Sequence, residues 1–198
     1  MKRILSYALI GCLLAFQTAG SLFAQGADAR VSAFTERVKG AYVCFDFVYS
    51  VRGDFPLEGM GSAGVYAPAY IVRMGGLEIL CDGKERWTVD RQAQEAVVET
   101  VGGTEDILMN PAALIGSLDS AFQIAGPMLF PKDKTSQVEY VKLSFGKDGC
   151  PSHAQVRLRN GGETHFALSG WTFAQEPPTG FPFDAKALTS QYILTDLR

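Results

Sequence analysis

The chain has 198 residues, 47% of them hydrophobic and 20% charged, with a formal net charge of −3. That length and hydrophobic share fit one domain with a sizeable core. The mild acidity, which grows once the basic start is removed, recruits neither nucleic acid nor an anionic membrane surface.

The first segment reads as a removable secretory leader. Met1-Lys2-Arg3 is a positive n-region, Ile4 to Leu14 runs apolar with only Ser6 and Tyr7 interrupting, and small residues lead to Ala24, after which cleavage is expected. A membrane anchor needs roughly 20 nearly continuous apolar residues, and Gln17, Thr18 and the glycines cut this stretch short. Leu9-Ile10-Gly11-Cys12 also has the form of a lipoprotein signal, but cleavage before Cys12 would leave a very short apolar region and strand Leu13 to Phe16 on the product. Residues 1–24 are therefore read as leader and 25–198 as the mature domain.

Helix signals open that domain. Asp28 suits a cap, Val31, Phe34 and Val38 fall on one face, and Gly40 sits where a helix terminates, so a helix is expected from Ala29 to Lys39. The period then changes. Val43, Phe45, Phe47, Tyr49 and Val51 alternate with Cys44, Asp46, Val48 and Ser50, as in a strand with one strongly apolar face. Gly53-Asp54, Gly75-Gly76, Asp82-Gly83 and Asp90-Arg91 divide the chain up to Val101 into five or six strands of an antiparallel meander. Asp82-Gly83 is the clearest hairpin turn, since both residues tolerate positive φ.

At Asn110-Pro111 a cap and a first-turn proline predict a second helix, with Leu114, Ile115, Leu118 and Phe122 on one face and Gly126-Pro127 as its end. Strands return over Val138 to Phe145, His153 to Arg159 and Thr164 to Phe173, and a last one around Gln191 to Leu197. The sum is an α+β, mainly β fold: one large antiparallel sheet of about ten strands, curled because twisted sheets of that size curl, with two or three helices on one face.

Chemistry-bearing groups are few. Cys44, Cys81 and Cys150 are odd in number and fit buried free thiols, with one bridge open; with His153 and His165 they do not make a zinc pattern. The two histidines alternate with apolar neighbours on polar strand faces and read as solvated, Asp46 reads as outward-facing, and Glu105-Asp106 flank the second helix. Gly59-Met60-Gly61-Ser62-Ala63-Gly64 has no helix behind it, so a turn or bulge is expected rather than a phosphate cradle. There is no G-x-S-x-G, H-E-x-x-H or Walker pattern, so the expectation is a protein that is not an enzyme and has no metal or cofactor. What stands out is large apolar residues: Phe34, Phe45, Phe47, Tyr49, Trp87, Ile107, Leu108, Met109, Leu114, Leu118 and Phe122. Ordinary core accounts for most of them.

A combination of features spans nearly the whole mature chain: the first helix and long aromatic strand, Gly59-x-Gly61, the Pro68 loop, Ile79 to Trp87 with Asp82-Gly83-Lys84, Asn110-Pro111, Phe181-Pro182-Phe183-Asp184 and the ending Thr195 to Arg198. It resembles the periplasmic outer-membrane lipoprotein carrier family (LolA-like), in the Bacteroidetes-type variant that ends in Asp-Leu-Arg. The resemblance implies an unclosed antiparallel β-barrel whose helices cover an apolar cavity. It implies a monomeric periplasmic carrier that takes acylated lipoproteins from an inner-membrane ATP-driven complex to an outer-membrane acceptor. A sensor or membrane-anchored receptor of the same fold is the alternative. The expected acyl-chain lining is Phe34, Phe45, Phe47, Tyr49, Trp87, Leu114, Leu118 and Phe122. Just before the loop proline the best-known members carry an arginine that bonds the helical lid; here that position is Ala67.

Overall fold

The structure, a computed structural model, describes residues 29–52, 56–101, 107, 110–184, 188 and 191–198. The expected leader through Ala24, the expected cap Asp28, the expected Gly53-Asp54 turn, Glu105-Asp106 and Leu108-Met109 lie outside them. Among the described residues the strands are β1 (Tyr42–Arg52), β2 (Leu57–Tyr66), β3 (Ala69–Met74), β4 (Leu77–Cys81), β5 (Glu85–Asp90), β6 (Glu95–Thr100), β7 (Phe122–Ala125), β8 (Met128–Pro131), β9 (Val138–Phe145), β10 (Pro151–Leu158), β11 (Glu163–Ala174) and β12 (Ile193–Asp196). The helices include α1 (29–38), α2 (Pro111–Gly116) and α3 (Leu118–Ala121).

All twelve strands form one curled sheet in the order β12-β6-β5-β4-β3-β2-β1-β11-β10-β9-β8-β7. The order has two ends, so the barrel is unclosed, as the resemblance implies. β12 joins β6 in parallel, whereas β1, the centre of the sheet, pairs antiparallel with both β2 and β11. Alternation along β1 works as read: Val43, Phe45 and Phe47 are buried while Asp46 and Val48 are exposed.

The main core lies on the face that carries the helices, called inner below. α1 contributes Val31, Phe34 and Val38, and α2 and α3 contribute Ala112, Leu114, Ile115 and Leu118. Trp171 completes it. Between Cys44 and Asp46 the β1–β11 register shifts, giving β11 an extra residue near Gly170, whose φ is +65°. The bulge brings Trp171 onto Phe45, ring centroids 4.5 Å apart and stacked, and edge-on to Phe34 at 5.2 Å. Its indole N–H donates to the Pro151 carbonyl at 2.9 Å.

Two sequence expectations need correction. The second helix does not run to Gly126. α2 stops at Gly116, where the Ser117 hydroxyl donates to the Ala113 carbonyl at 2.7 Å, and after the single turn of α3 Phe122 opens a strand. Phe122 to Pro131 is a hairpin about Gly126-Pro127, which raises the strand count to twelve. Leu114, Ile115, Leu118 and Phe122 are nevertheless all buried, because α2, α3 and the start of β7 turn the same side inward. The glycine cluster is neither turn nor bulge: Gly59 to Gly64 run unbroken along β2, opposite Tyr49 to Cys44 of β1.

α2 starts where Asn110 was expected to cap it. The Asn110 Oδ1 accepts from the Ala112 and Ala113 amides at 3.0 and 3.1 Å, and Pro111 takes the first position. Replacing Asn110 with Ala should lower stability by about 1 kcal/mol, the usual worth of a cap, whereas Asn110→Ser should recover most of it. Chemical denaturation of the two variants checks this.

The opposite, outer face is apolar at one end of the sheet. Leu80, Trp87, Val89, Ala96 and Val98 form a second cluster there. Described residues after β11 lie along this face: Phe181 meets Tyr42 of β1 at 5.1 Å, Phe183 meets Trp87 at 5.8 Å, and Leu188 and Tyr192 pack on the cluster before β12 joins the sheet. Arg198 fastens the end, reaching Glu85 at 2.6 Å and Asp196 at 2.6 Å. Its hydrogen bonds hold the Asp196 carboxyl down at about 2. A depressed carboxyl stabilises above its unfolded value and loses that contribution as pH falls through the folded one. Exchange protection of the Leu197 amide, bonded to the Val98 carbonyl at 2.8 Å, should therefore be full above the ordinary aspartate range, decline as pH falls below it and have lost the ion pair's share by about pH 2, after correction for intrinsic rates.

Candidate functional site

Beneath α2 and α3, at one end of the inner face, lies a cavity of about 380 Å³. Tyr70 of β3, Cys81 of β4, Val101 and Ile107 form its depth, and Ala113, Gly116 and Ala121 line it from the helices. Pro68, Gly83, Ser117, Ser120, Lys132 and Asp133 complete the lining. The wall is predominantly apolar, and its polar groups are concentrated on α3 and the segment after β8.

Two turns shape one side. Asp82 Oδ1 accepts from the Lys84 and Glu85 amides, both at 2.8 Å, which tightens the β4–β5 hairpin. Gly83, at φ +94°, then lies so close to Pro68 that a Cβ there would come within 2.6 Å of the proline ring. The β2–β3 turn and the β4–β5 turn thus meet at the cavity. On the other side Lys132 Nζ donates to the carbonyls of Asp119 and Ser120 at 2.7 and 3.1 Å, fixing an ammonium at the end of α3. The Thr135 hydroxyl and amide hold the neighbouring Asp133 carboxyl below its ordinary range, so it is charged beside that ammonium.

The residues expected to line a site separate into two places. Phe34, Phe45, Phe47, Leu114, Leu118 and Phe122 share the inner core, and Tyr49 packs against it half-buried. They pack on one another, as in Phe47 on Phe166 at 6.3 Å, and none is in the wall of the cavity. Trp87 is not with them. Cys81 pairs with Arg86 on the inner face, so Trp87, opposite Leu80, points to the outer cluster. At this end the inner face of β5 and β6 is polar instead, with Arg86 and Glu99 paired at 3.0 Å.

Of the wall residues, Ile107 stands out in sequence as a large apolar group, and Pro68 and Asp82-Gly83 stand out as turns. Tyr70, Cys81, Ala113 and Ala121 carry no signal beyond alternation or helical period, because small residues mark a cavity only once the fold shows what lies across from them. Cys44, Cys81 and Cys150 form no disulfide among the described residues, and Cys81 Sγ accepts from the Gly83 amide at 3.2 Å. Asp46 and His153 are exposed as read; His165, partly exposed, lies 3.3 Å from Glu163. No helix among the described residues is long and apolar enough to cross a membrane.

No family model and no curated protein matches the sequence. Solved structures similar to this one include an uncharacterized conserved protein of Thermus thermophilus, 9% identical, with a TM-score of 0.49 over 84% of this chain and 96% of that one. A LolA superfamily protein of Nitrosomonas europaea is 10% identical, with a TM-score of 0.42 over 76% and 94%. A DUF1329 family protein of Desulfovibrio piger is 12% identical, with a TM-score of 0.43 over 84% and 99%. A LolA superfamily member is thus among the solved structures similar to this one. At these identities the likeness is one of fold alone.

Proposed function

We propose that the protein is a periplasmic carrier, which binds lipoprotein acyl chains in the cavity under α2 and α3 and shuttles them from the inner to the outer membrane. It would receive them from an ATP-driven inner-membrane complex and hand them to an outer-membrane acceptor. The observation that carries this reading is the cavity itself, an apolar hollow of about 380 Å³ roofed by two very short helices. Burying a methylene is worth about 0.8 kcal/mol, so hiding part of an acyl chain there offsets a substantial share of its exposure to water. The contacts are non-directional and accept chains of different length.

Release needs a roof that lifts. α2 has six residues and α3 four, and α3 starts at Ser117 without a side-chain cap bond. Ala67, where the carrier family has its lid arginine, offers α2 only a methyl: a Cβ placed on Gly116 would lie 3.9 Å from that of Ala67 and 3.5 Å from Val65. Such a roof is held by the burial of Leu114, Ile115 and Leu118 rather than by a bond from position 67, so a cargo that replaces those apolar contacts would offset the cost of lifting it. Export through the leader supports the same reading, since an acyl carrier is useful where water separates two membranes.

The test is purification from exporting cells followed by mass spectrometry for bound acylated lipoprotein, together with transfer of labelled lipoprotein to acceptor membranes. Bound lipoprotein and transfer are expected. Persistent absence of lipoprotein, with unchanged lipoprotein sorting after deletion, overturns the proposal.

A further inference from the structure

We infer that the cavity admits a single acyl chain, tail first, with a carbonyl or carboxylate oxygen of its head held by Lys132; a cargo with three chains would engage it by one. The inference rests on the acyl-binding reading above and adds its capacity and polarity. The first ground is volume. A methylene takes roughly 30 Å³, about a water's share of liquid volume, so about 380 Å³ holds about a dozen of them. That is most of one chain and far short of three.

The second ground is what surrounds the cavity. The rest of the inner face is filled by Phe34, Phe45, Phe47 and Phe166, each buried to 2% exposure or less and packed ring on ring in a row that runs from Phe34 through Trp171, Phe45 and Phe47 to Phe166. Interiors packed in this way yield no room for a second chain without breaking the stack. The hollow of about 270 Å³ beside Lys142, His153 and His165 cannot serve as an extension, because register places those side chains on the outer face with Ser50 and Val48.

The third ground is polarity. The depth of the cavity is Tyr70, Cys81, Val101 and Ile107, whereas Ser117, Ser120, Lys132 and Asp133 carry its polar groups. An ammonium has three N–H donors, and Lys132 spends two on the carbonyls of Asp119 and Ser120. The third is left for a head-group oxygen, and the two carbonyls hold the ammonium in place to give it. An N-acylated or ester-linked chain of a lipoprotein and a free fatty acid share this chemistry.

Native mass spectrometry of the purified protein with dodecanoate, and separately with a triacylated lipopeptide, tests this. Peptide-level mapping of thiol alkylation in the same samples reports on Cys81, which is in the wall, against Cys44 and Cys150, which are not. The expected result is one dodecanoate per chain, displaced one for one by the lipopeptide, with alkylation of Cys81 slowed by either ligand. Ala113→Phe, which fills the cavity, and Lys132→Gln, which removes the held cation, should each weaken dodecanoate binding about tenfold or more. Binding of two or three dodecanoates that all protect Cys81 overturns the single-chain inference and leaves the carrier reading standing. Binding that leaves Cys81 unprotected places the site elsewhere and also overturns it. No uptake of either ligand overturns both. The Cys81 readout uses the unsubstituted protein, so a variant that fails to fold does not remove the test.

Discussion

Trp87→Ala should destabilise the protein by about 3–5 kcal/mol, the range for truncating a buried aromatic, while leaving occupancy of the inner cavity unchanged at temperatures where the variant is folded. Trp87 is 2% exposed and holds together Leu80, Val89, Ala96 and Val98 on the outer face, with Phe183 closing over its ring. Loss of the indole leaves a hole that neither sheet nor covering segment can fill, and it frees Phe183 to lift. Trp87→Phe should cost far less. The indole N–H is buried with no hydrogen-bond partner among the described residues, so the phenyl ring keeps most of the packing and removes a donor that is desolvated for nothing. Thermal unfolding of the two variants, beside acyl-chain binding, checks both statements. A fall in binding that exceeds the unfolded fraction would put Trp87 in the site after all.

The side to which Trp87 points shows what alternation can and cannot give. Period two says that Trp87 and Val89 share a face, and the Asp82-Gly83 turn says which strand they oppose. Neither says which face of the sheet that is. The answer came from Phe183 and Leu188, which are scattered in a stretch without period and become a cover only when laid over the outer face at Leu80 and Trp87. At the centre of the sheet the reading was easier, because β1 has one dry face and one wet one, and Asp46 settles which is which.

Helix α2 was legible at its start and not at its end for a similar reason. Asn110-Pro111 is a local device, and local devices survive into the fold. Its end depends on Ser117 turning back onto the Ala113 carbonyl and on Phe122 finding a strand partner in Pro131, a choice made by residues well along the chain. The cavity was legible as a consequence of the resemblance but not by residue. Large aromatics draw attention in a sequence, and in the fold they fill space; the hollow is left where Ala113, Gly116 and Ala121 face Tyr70 and Cys81.

Gly61→Ala should be the most damaging single methyl in the sheet, with a loss of about 1–3 kcal/mol, in the overpacking range. In an ordinary strand the same change stabilises, by about 0.5–1 kcal/mol, because glycine gives up more backbone freedom on folding. The sign reverses here because the added Cβ would lie 2.4 Å from the Arg73 carbonyl and 2.6 Å from Cζ of Phe47. The carbonyl belongs to the neighbouring strand and cannot retreat without opening the β2–β3 pairing, and the ring is wedged between Phe45 and Phe166. Gly59→Ala meets only the ring of Tyr49, which is half-buried and can turn, so its cost should be smaller. Combining Gly61→Ala with Phe47→Leu separates the two clashes. Relief by the smaller side chain should be partial, since the carbonyl contact stays, and the double variant should therefore be less destabilised than the two losses added together but still below Phe47→Leu alone. Urea denaturation of the four proteins gives the coupling directly. A neutral or stabilising Gly61→Ala would mean that the glycines of β2 are not seats for the aromatic rings of β1, and the packing of the inner face would have to be drawn differently.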